Sequence, residues 1–266
     1  RSIWVTGVQT CALPIYCLPG TPSSTWDLVN PDIGDTTIQG FATDMSVNVG
    51  GTVHFKVKAN TSNYKLDIYR MGYYGGMGAR KVATVFPFSF PQQPPCIYMA
   101  PTGLTDCGNW TETALWAVPA NATSGIYFAK VIRTDTGGAS HIIFIVRNDA
   151  SHSDILFKTS DATWQAYNSY SQNFYGCDGS KVSNCRAFKI SYNRPFYTLT
   201  FEIDSWVFNA EYPMVRWLEA NGYDVTYFTD VDTDRNGALI LNHKIWLSNG
   251  PIWRSEERRV GKECRS

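Results

Sequence analysis

No stretch of this 266-residue chain approaches the roughly 20 consecutive apolar residues that a membrane-spanning helix needs. Charge of one sign is not in excess either, since 23 basic residues face 23 acidic ones. Histidine is scarce. His54, His141, His152 and His243 form neither H-x-x-x-H nor H-E-x-x-H, which removes the common zinc-hydrolase patterns. His54 and His141 fall in strand-like stretches and read as surface or packing residues. Tyr175-Gly176-Cys177-Asp178-Gly179 fails as a G-x-C-x-G nucleophile elbow because a glycine falls one position wrong.

The two ends read as foreign to the protein. Residues 254–266 back-translate, in one frame, into a sequence resembling a common sequencing-library adapter. Residues 5–15 resemble the opposite adapter, and Arg1 to Trp4 go with them. A signal-peptide remnant fits the N-terminus less well, because its apolar run is broken by Thr6, Gln9 and Thr10 and has no basic flank. Setting aside 1–15 and 254–266 as adapter-like leaves 238 residues, enough for one sizeable core or two smaller ones. Removing Arg1 with the five basic and three acidic residues of the tail leaves 17 basic against 20 acidic, a net charge of −3. The basic C-terminal cluster disappears, and with it any argument for nucleic acid or an anionic membrane as partner. Aromatic content of 14% beside 17% charge suits a secreted or periplasmic β-rich protein.

Cysteine usage points the same way. Outside the ends stand Cys17, Cys96, Cys107, Cys177 and Cys185. The intervals Cys96–Cys107 and Cys177–Cys185 lie in polar, Gly/Asn/Ser-containing segments, as loop-stapling disulfides do in oxidising compartments. Neither has C-x-x-C or histidine spacing for a metal. Cys17 is left over.

The body divides in two. A β-sandwich of immunoglobulin-like type is expected over 36–148. Val53 to Ala59 alternates apolar and polar residues, as a half-buried strand does, and Tyr64 to Tyr69 resumes the alternation after turn residues Asn60 to Asn63. Further strands are expected at 113–118, 125–134 and 140–147. Pro87 to Pro101 reads as a long surface connection. Over 153–253 the pattern changes to a partial α/β domain. Ile155-Leu156-Phe157 is a short buried-strand run. In Glu211 to Gly222, Met214, Val215 and Leu218 share a helical face, with Pro213 in the first turn and Gly222 at the stop. Asp224 to Val231 and Lys244 to Ser248 are expected strands, and strand–helix–strand order implies parallel pairing.

Asp232-Thr233-Asp234-Arg235-Asn236-Gly237 matches the first half of a calcium loop, but the twelfth position holds His243 instead of a bidentate Glu, so a turn is the better reading. The glycosylation sequons at Asn60, Asn109 and Asn121 are patterns that recur by chance. Residue chemistry alone stops at a two-domain secreted protein.

Longer motifs go further. Ile68-Tyr69-Arg70-Met71-Gly72-Tyr73-Tyr74-Gly75-Gly76-Met77-Gly78-Ala79-Arg80 resembles a signature of the family of N,N-dimethylformamidase large (β) subunits. So do Trp164-Gln165-Ala166-Tyr167-Asn168, Ser191-Tyr192-Asn193-Arg194-Pro195-Phe196, Glu211-Tyr212-Pro213 with Asp224-Val225-Thr226-Tyr227, and Asp232 through Gly250. The resemblance covers about 40–250, in order. It implies a β-sandwich followed by an α/β domain similar to glutamine amidotransferases. It also implies hydrolysis of a small amide such as N,N-dimethylformamide at a mononuclear iron held by two tyrosines and a glutamate. The matching tyrosines are Tyr127 and Tyr167. A phenol titrating near pH ~10 becomes a ligand only when a cation draws off its proton, and a ferric ion can do so and polarise an amide carbonyl. After Gly250 this chain departs from the G-H-D-E-Y-W-like motif that supplies the family's glutamate. The resemblance therefore implies a truncated, inactive fragment, with no catalytic residue assigned. The alternative is a secreted, non-enzymatic sandwich that binds carbohydrate or protein beside a degenerate α/β domain.

Overall fold

The computed structural model describes residues 17–28, 34–176, 186–197 and 206–249. The expectations for 1–15 and 254–266, and for a Cys177–Cys185 cross-link, lie outside these residues. A short helix, α1 (Ser23–Trp26), precedes the strands β1 (Ile38–Ala42), β2 (Ser46–Asn48), β3 (Thr52–Ala59), β4 (Tyr64–Met71) and β5 (Ala79–Val85). The hairpin β6 (Ile97–Met99) and β7 (Leu104–Asp106) follows, then β8 (Ala114–Ala117), β9 (Gly125–Arg133) and β10 (Ala139–Arg147). Two sheets form from these, a small one ordered β1-β3-β8 and a large one ordered β2-β10-β9-β4-β5. Pairing is antiparallel except between β2 and β10.

On β3, Val53, Phe55 and Val57 are buried while His54, Lys56 and Lys58 are not, as the alternation predicts. They pack against Tyr127, Ala129 and Phe144 of the large sheet. Strands β9 and β10 read as continuous apolar runs for a different reason: both of their faces are covered. Tyr127, Ala129 and Val131 point between the sheets. Ile126 and Phe128 point the other way, into a second core shared with Phe157, Trp164 and Val215.

That second core is roofed by the α/β layer. It comprises β11 (Ile155–Lys158), α2 (Asp161–Tyr167), α3 (Val207–Ala210), α4 (Tyr212–Ala220), β12 (Val225–Phe228), α5 (Asp230–Arg235) and β13 (Ile245–Ser248). The three strands are parallel in the order β12-β11-β13. Helix α4 starts with proline in its first turn, buries Val215 and Leu218, and is followed by Gly222 at positive φ. Strand β12 is shorter than expected, and the turn expected from Asp232 begins instead inside α5. The reason is a capping box: the Thr229 hydroxyl accepts from the Asp232 N–H while the Asp232 carboxylate accepts from the Thr229 N–H. Asp232 is also ion-paired to Arg147 of β10, so its carboxylate ties the layers together.

Residues 17–28 lie before the expected sandwich domain, yet they are part of the body. Trp26 is buried in the second core, and its indole N–H lies 3.0 Å from the Thr21 carbonyl and 3.2 Å from that of Met77. Lys130 Nζ donates to the carbonyls of Thr25 and Asp27, and His141 Nε2 to that of Trp26. Burial pushes the His141 imidazole down to about 3, so it packs as a neutral ring. Cys96 and Cys107 are disulfide-bonded, with Cα atoms 4.3 Å apart. Cys17 is disulfide-bonded too, not left over.

Candidate functional site

The carboxyl ends of the parallel strands converge at the start of α2, the usual place for ligands in such sheets. The chain leaves β11 through Thr159 and Ser160, and Asp161 opens α2. The Asp161 side chain is fully buried. Its Oδ1 accepts from the Asp230 N–H at 2.6 Å and from the Thr159 hydroxyl at 3.1 Å, and its Oδ2 accepts from the Tyr192 hydroxyl at 3.0 Å. Asp230, the first residue of α5 just beyond β12, is ion-paired to Lys158, the last residue of β11. Its second oxygen accepts from the Ala162 N–H at 3.1 Å. The end of β13 joins through Asn249, whose carbonyl accepts from the Ser160 hydroxyl at 2.7 Å. Glu211, just before α4, accepts from the Ser160 N–H at 2.9 Å and from the Trp164 indole.

Two carboxylates so close cannot both stay charged at no cost. Burial, then the charge of Asp230, pushes the Asp161 carboxyl up to about 6, against hydrogen bonds that favour its anion. Burial and the Asp161 charge push the Tyr192 phenol up, so it stays protonated and donates. The cluster thus holds an exchangeable proton between Asp161 and Tyr192. Asp230 and Tyr192 are its half-buried members.

Two of the motifs read from the sequence meet here. Asp161 and Gln165 stand at i and i+4 on one side of α2, and Asn168 follows at its C-cap. Against that side lie Tyr192, on Asp161, and Arg194, whose Nη2 donates to the Gln165 carbonyl at 2.7 Å. Asn168 Nδ2 then donates to the Pro195 carbonyl at 2.9 Å. Arg194 is buried and donates to the Gln165 carbonyl in α2 and the Gln172 carbonyl in the loop beyond it, and burial lowers its guanidinium to about 10. None of Lys158, Asp161, Tyr192 or Asp230 was singled out from the sequence. The available signal was an acid, Asp161, four residues after the short apolar run at 155–157, where a parallel strand turns into a helix.

The tyrosines expected to hold iron have different surroundings. Tyr127 points between the two sheets, packed among Trp116 and Phe144, and its hydroxyl donates to the Thr123 carbonyl at 2.6 Å. Burial pushes its phenol well up, and the opposing pull of Arg70 is smaller. A protonated phenol bonded to a carbonyl does not fit a phenolate ligand, because ionising it would break that bond and set the phenolate against the partial negative charge of the carbonyl oxygen. Tyr167 ends α2, on the other side of the large sheet, and stacks on Tyr175 at 4.3 Å between ring centres. The Tyr127 hydroxyl is thus turned toward Thr123 between the sheets, while Tyr167 lies at the end of α2. Among the described residues, no three His, Cys, Asp or Glu side chains could jointly hold a metal ion.

The family model described as N,N-dimethylformamidase beta subunit-like, C-terminal, matches residues 65–252. No curated protein matches the chain. Among solved structures, domain 1 of VCBP3 from Branchiostoma floridae is similar with a TM-score of 0.26 and 12% identity, covering 44% of this chain and 98% of that one. A Bacteroides ovatus mixed-linkage glucan utilization locus protein, SGBP-B, in complex with a mixed-linkage heptasaccharide, is similar with a TM-score of 0.21 and 15% identity, covering 64% of this chain and 36% of that one.

Proposed function

Because the chain belongs to the N,N-dimethylformamidase beta subunit-like family, in its C-terminal part, we propose that it is a portion of a hydrolase acting on small amides. The α/β layer, read as part of a glutamine amidotransferase-like fold, carries the reacting centre. The observation behind this reading is the Lys158–Asp230–Asp161–Tyr192 cluster at the strand ends, where the buried Asp161 carboxyl accepts from the Asp230 N–H and the Tyr192 hydroxyl and feels the charge of the Asp230 carboxylate paired with Lys158. Neighbouring acids with different surroundings divide the work of acid and base. Asp230, half-buried and paired with Lys158, takes a proton from water as the water oxygen bonds to the amide carbon. Tyr192 gives its proton to the leaving nitrogen as the C–N bond breaks, and Asp161 re-protonates Tyr192. The proton on Asp230 then returns to Asp161, releasing a carboxylic acid and an amine. No step runs through the iron that the resemblance implies, since Tyr127 does not suit it.

The donor form requires Asp161 protonated, so turnover falls as pH rises through about 6. The test measures amine release from N,N-dimethylformamide and other small amides, by the purified chain and by a longer relative carrying the same residues. Asp161→Asn and Tyr192→Phe are expected to lower turnover by about a hundredfold or more. Full activity in both variants would remove the cluster from the chemistry. Hydrolysis of none of the amides, together with saturable binding of an oligosaccharide, would favour the carbohydrate-binding alternative. The Cys96–Cys107 disulfide suits a secreted or periplasmic protein.

A further inference from the structure

A cleft of about 560 Å³ opens on the sandwich beside β5, the loop between β8 and β9, and Leu18 of the N-terminal segment. That volume is in the range of small-molecule sites. Its lining holds three cations, Arg70, Arg80 and Lys81, and no carboxylate. The three differ in how far they are neutralised. Arg70 is buried and paired with Glu219 at 2.7 Å. Lys81 shares the carboxylate of Asp67 with Lys65, so two cations divide one negative charge. Arg80 donates through Nη1 to the Pro19 carbonyl and has no acidic partner among the described residues. The charges around the cleft therefore sum to an excess of positive charge in a chain whose full sequence is net neutral.

The walls are of a second kind. Trp116 and Tyr74 form apolar surface inside, while Leu18 and Val82 stand more than a third exposed, at 38% and 42%. Burying such side chains under a ligand is favourable by about 25 cal/mol per Å². Asn121 and Thr123 line the same cleft with polar side chains. We propose that this cleft binds a small organic carboxylate, with its anionic end at Arg80 and its apolar body against Val82, Leu18 and Trp116. None of the residues lining the cleft belongs to the Asp161 cluster, so the inference is independent of the proposed hydrolysis.

Naphthalene-2-carboxylate, titrated calorimetrically into the purified chain, tests it. Saturable one-to-one binding is expected, weakening as salt is raised because the attraction is partly exposed. Naphthalene-2-carboxamide, the neutral analogue, is expected to bind at least tenfold more weakly. Arg80→Gln is expected to lose at least tenfold in affinity for the carboxylate. Val82→Asp, which places a negative charge at an exposed position of the mouth, is expected to abolish binding while leaving the thermal transition unchanged. Absence of saturation, equal binding of carboxylate and carboxamide, or unchanged affinity in both variants would each overturn the proposal.

Discussion

Arg70 Nη2 of β4 donates to Glu219 Oε1 of α4 at 2.7 Å, across the boundary between the sandwich and the α/β layer, with both side chains almost wholly out of water. Each partner is held further. The guanidinium donates to the Ser124 and Met71 carbonyls and to the Tyr74 hydroxyl, and Glu219 accepts from the Tyr73 N–H and the Tyr227 hydroxyl. A buried ion pair withstands its desolvation cost when its remaining groups are satisfied in this way. The glycines around it follow from the same geometry. A Cβ at Gly72 would collide with Glu219 Oε2, and one at Gly125 would press on the Arg70 Nε.

Removing one partner leaves the other charge stranded. Glu219→Ala is expected to cost about 3–5 kcal/mol in chemical denaturation, and the double change Arg70→Met with Glu219→Leu to recover most of it. A loss below about 1 kcal/mol for Glu219→Ala, the range of exposed pairs, would mean that water reaches the pair.

Asp161 should make stability depend on pH in an unusual direction. Its carboxyl is raised from 3.8 in the unfolded chain to about 6 in the folded one. The folded state therefore binds the proton more tightly, and this contribution is fully present below about pH 4, falls as pH rises to about 6, and then levels. At ~1.4 kcal/mol per pH unit it amounts to at most about 3 kcal/mol. Subtracting the Asp161→Asn stability profile from that of the parent should isolate a decline in this window. A flat difference would place the carboxyl near its ordinary value.

The Cys96–Cys107 bond closes a short loop around the β6–β7 hairpin. Replacing both cysteines by alanine is expected to cost about 2–3 kcal/mol, from the entropy returned to the unfolded chain. Non-reducing peptide mapping should recover the two cysteines in one linked peptide. Free thiols at both positions in protein from an oxidising compartment would contradict the bond.

Tyr127→Phe removes one hydrogen bond, to Thr123, and leaves the ring packing intact. A cost of about 0.5–1.5 kcal/mol is expected, with amide turnover unchanged. Ferric iron added to the parent chain should give no phenolate charge-transfer band that this substitution abolishes. A band that vanishes with Tyr127 would restore it as a ligand.

Local pattern by itself determined much of the fold. Alternation along Val53 to Ala59 assigned the inward face of β3, and the apolar spacing in Met214 to Leu218 assigned the buried side of α4, because side-chain direction in a strand or helix repeats with a fixed period. The motifs around Arg70, Trp164 and Tyr192 pointed to the family. Tertiary structure alone decided what those motifs do. Arg70 and Glu219 lie 149 residues apart, and nothing local names either as the other's partner. Tyr127 sits in an apolar run whose two faces are both buried, so hydrophobicity could not say whether its ring looks toward the α/β layer or away from it. Asp161, Asp230 and Tyr192 are ordinary polar residues in sequence. They become a coupled site only because parallel pairing brings two strand ends together under the loop that carries Tyr192, where burial makes a shared proton cheaper than two charges.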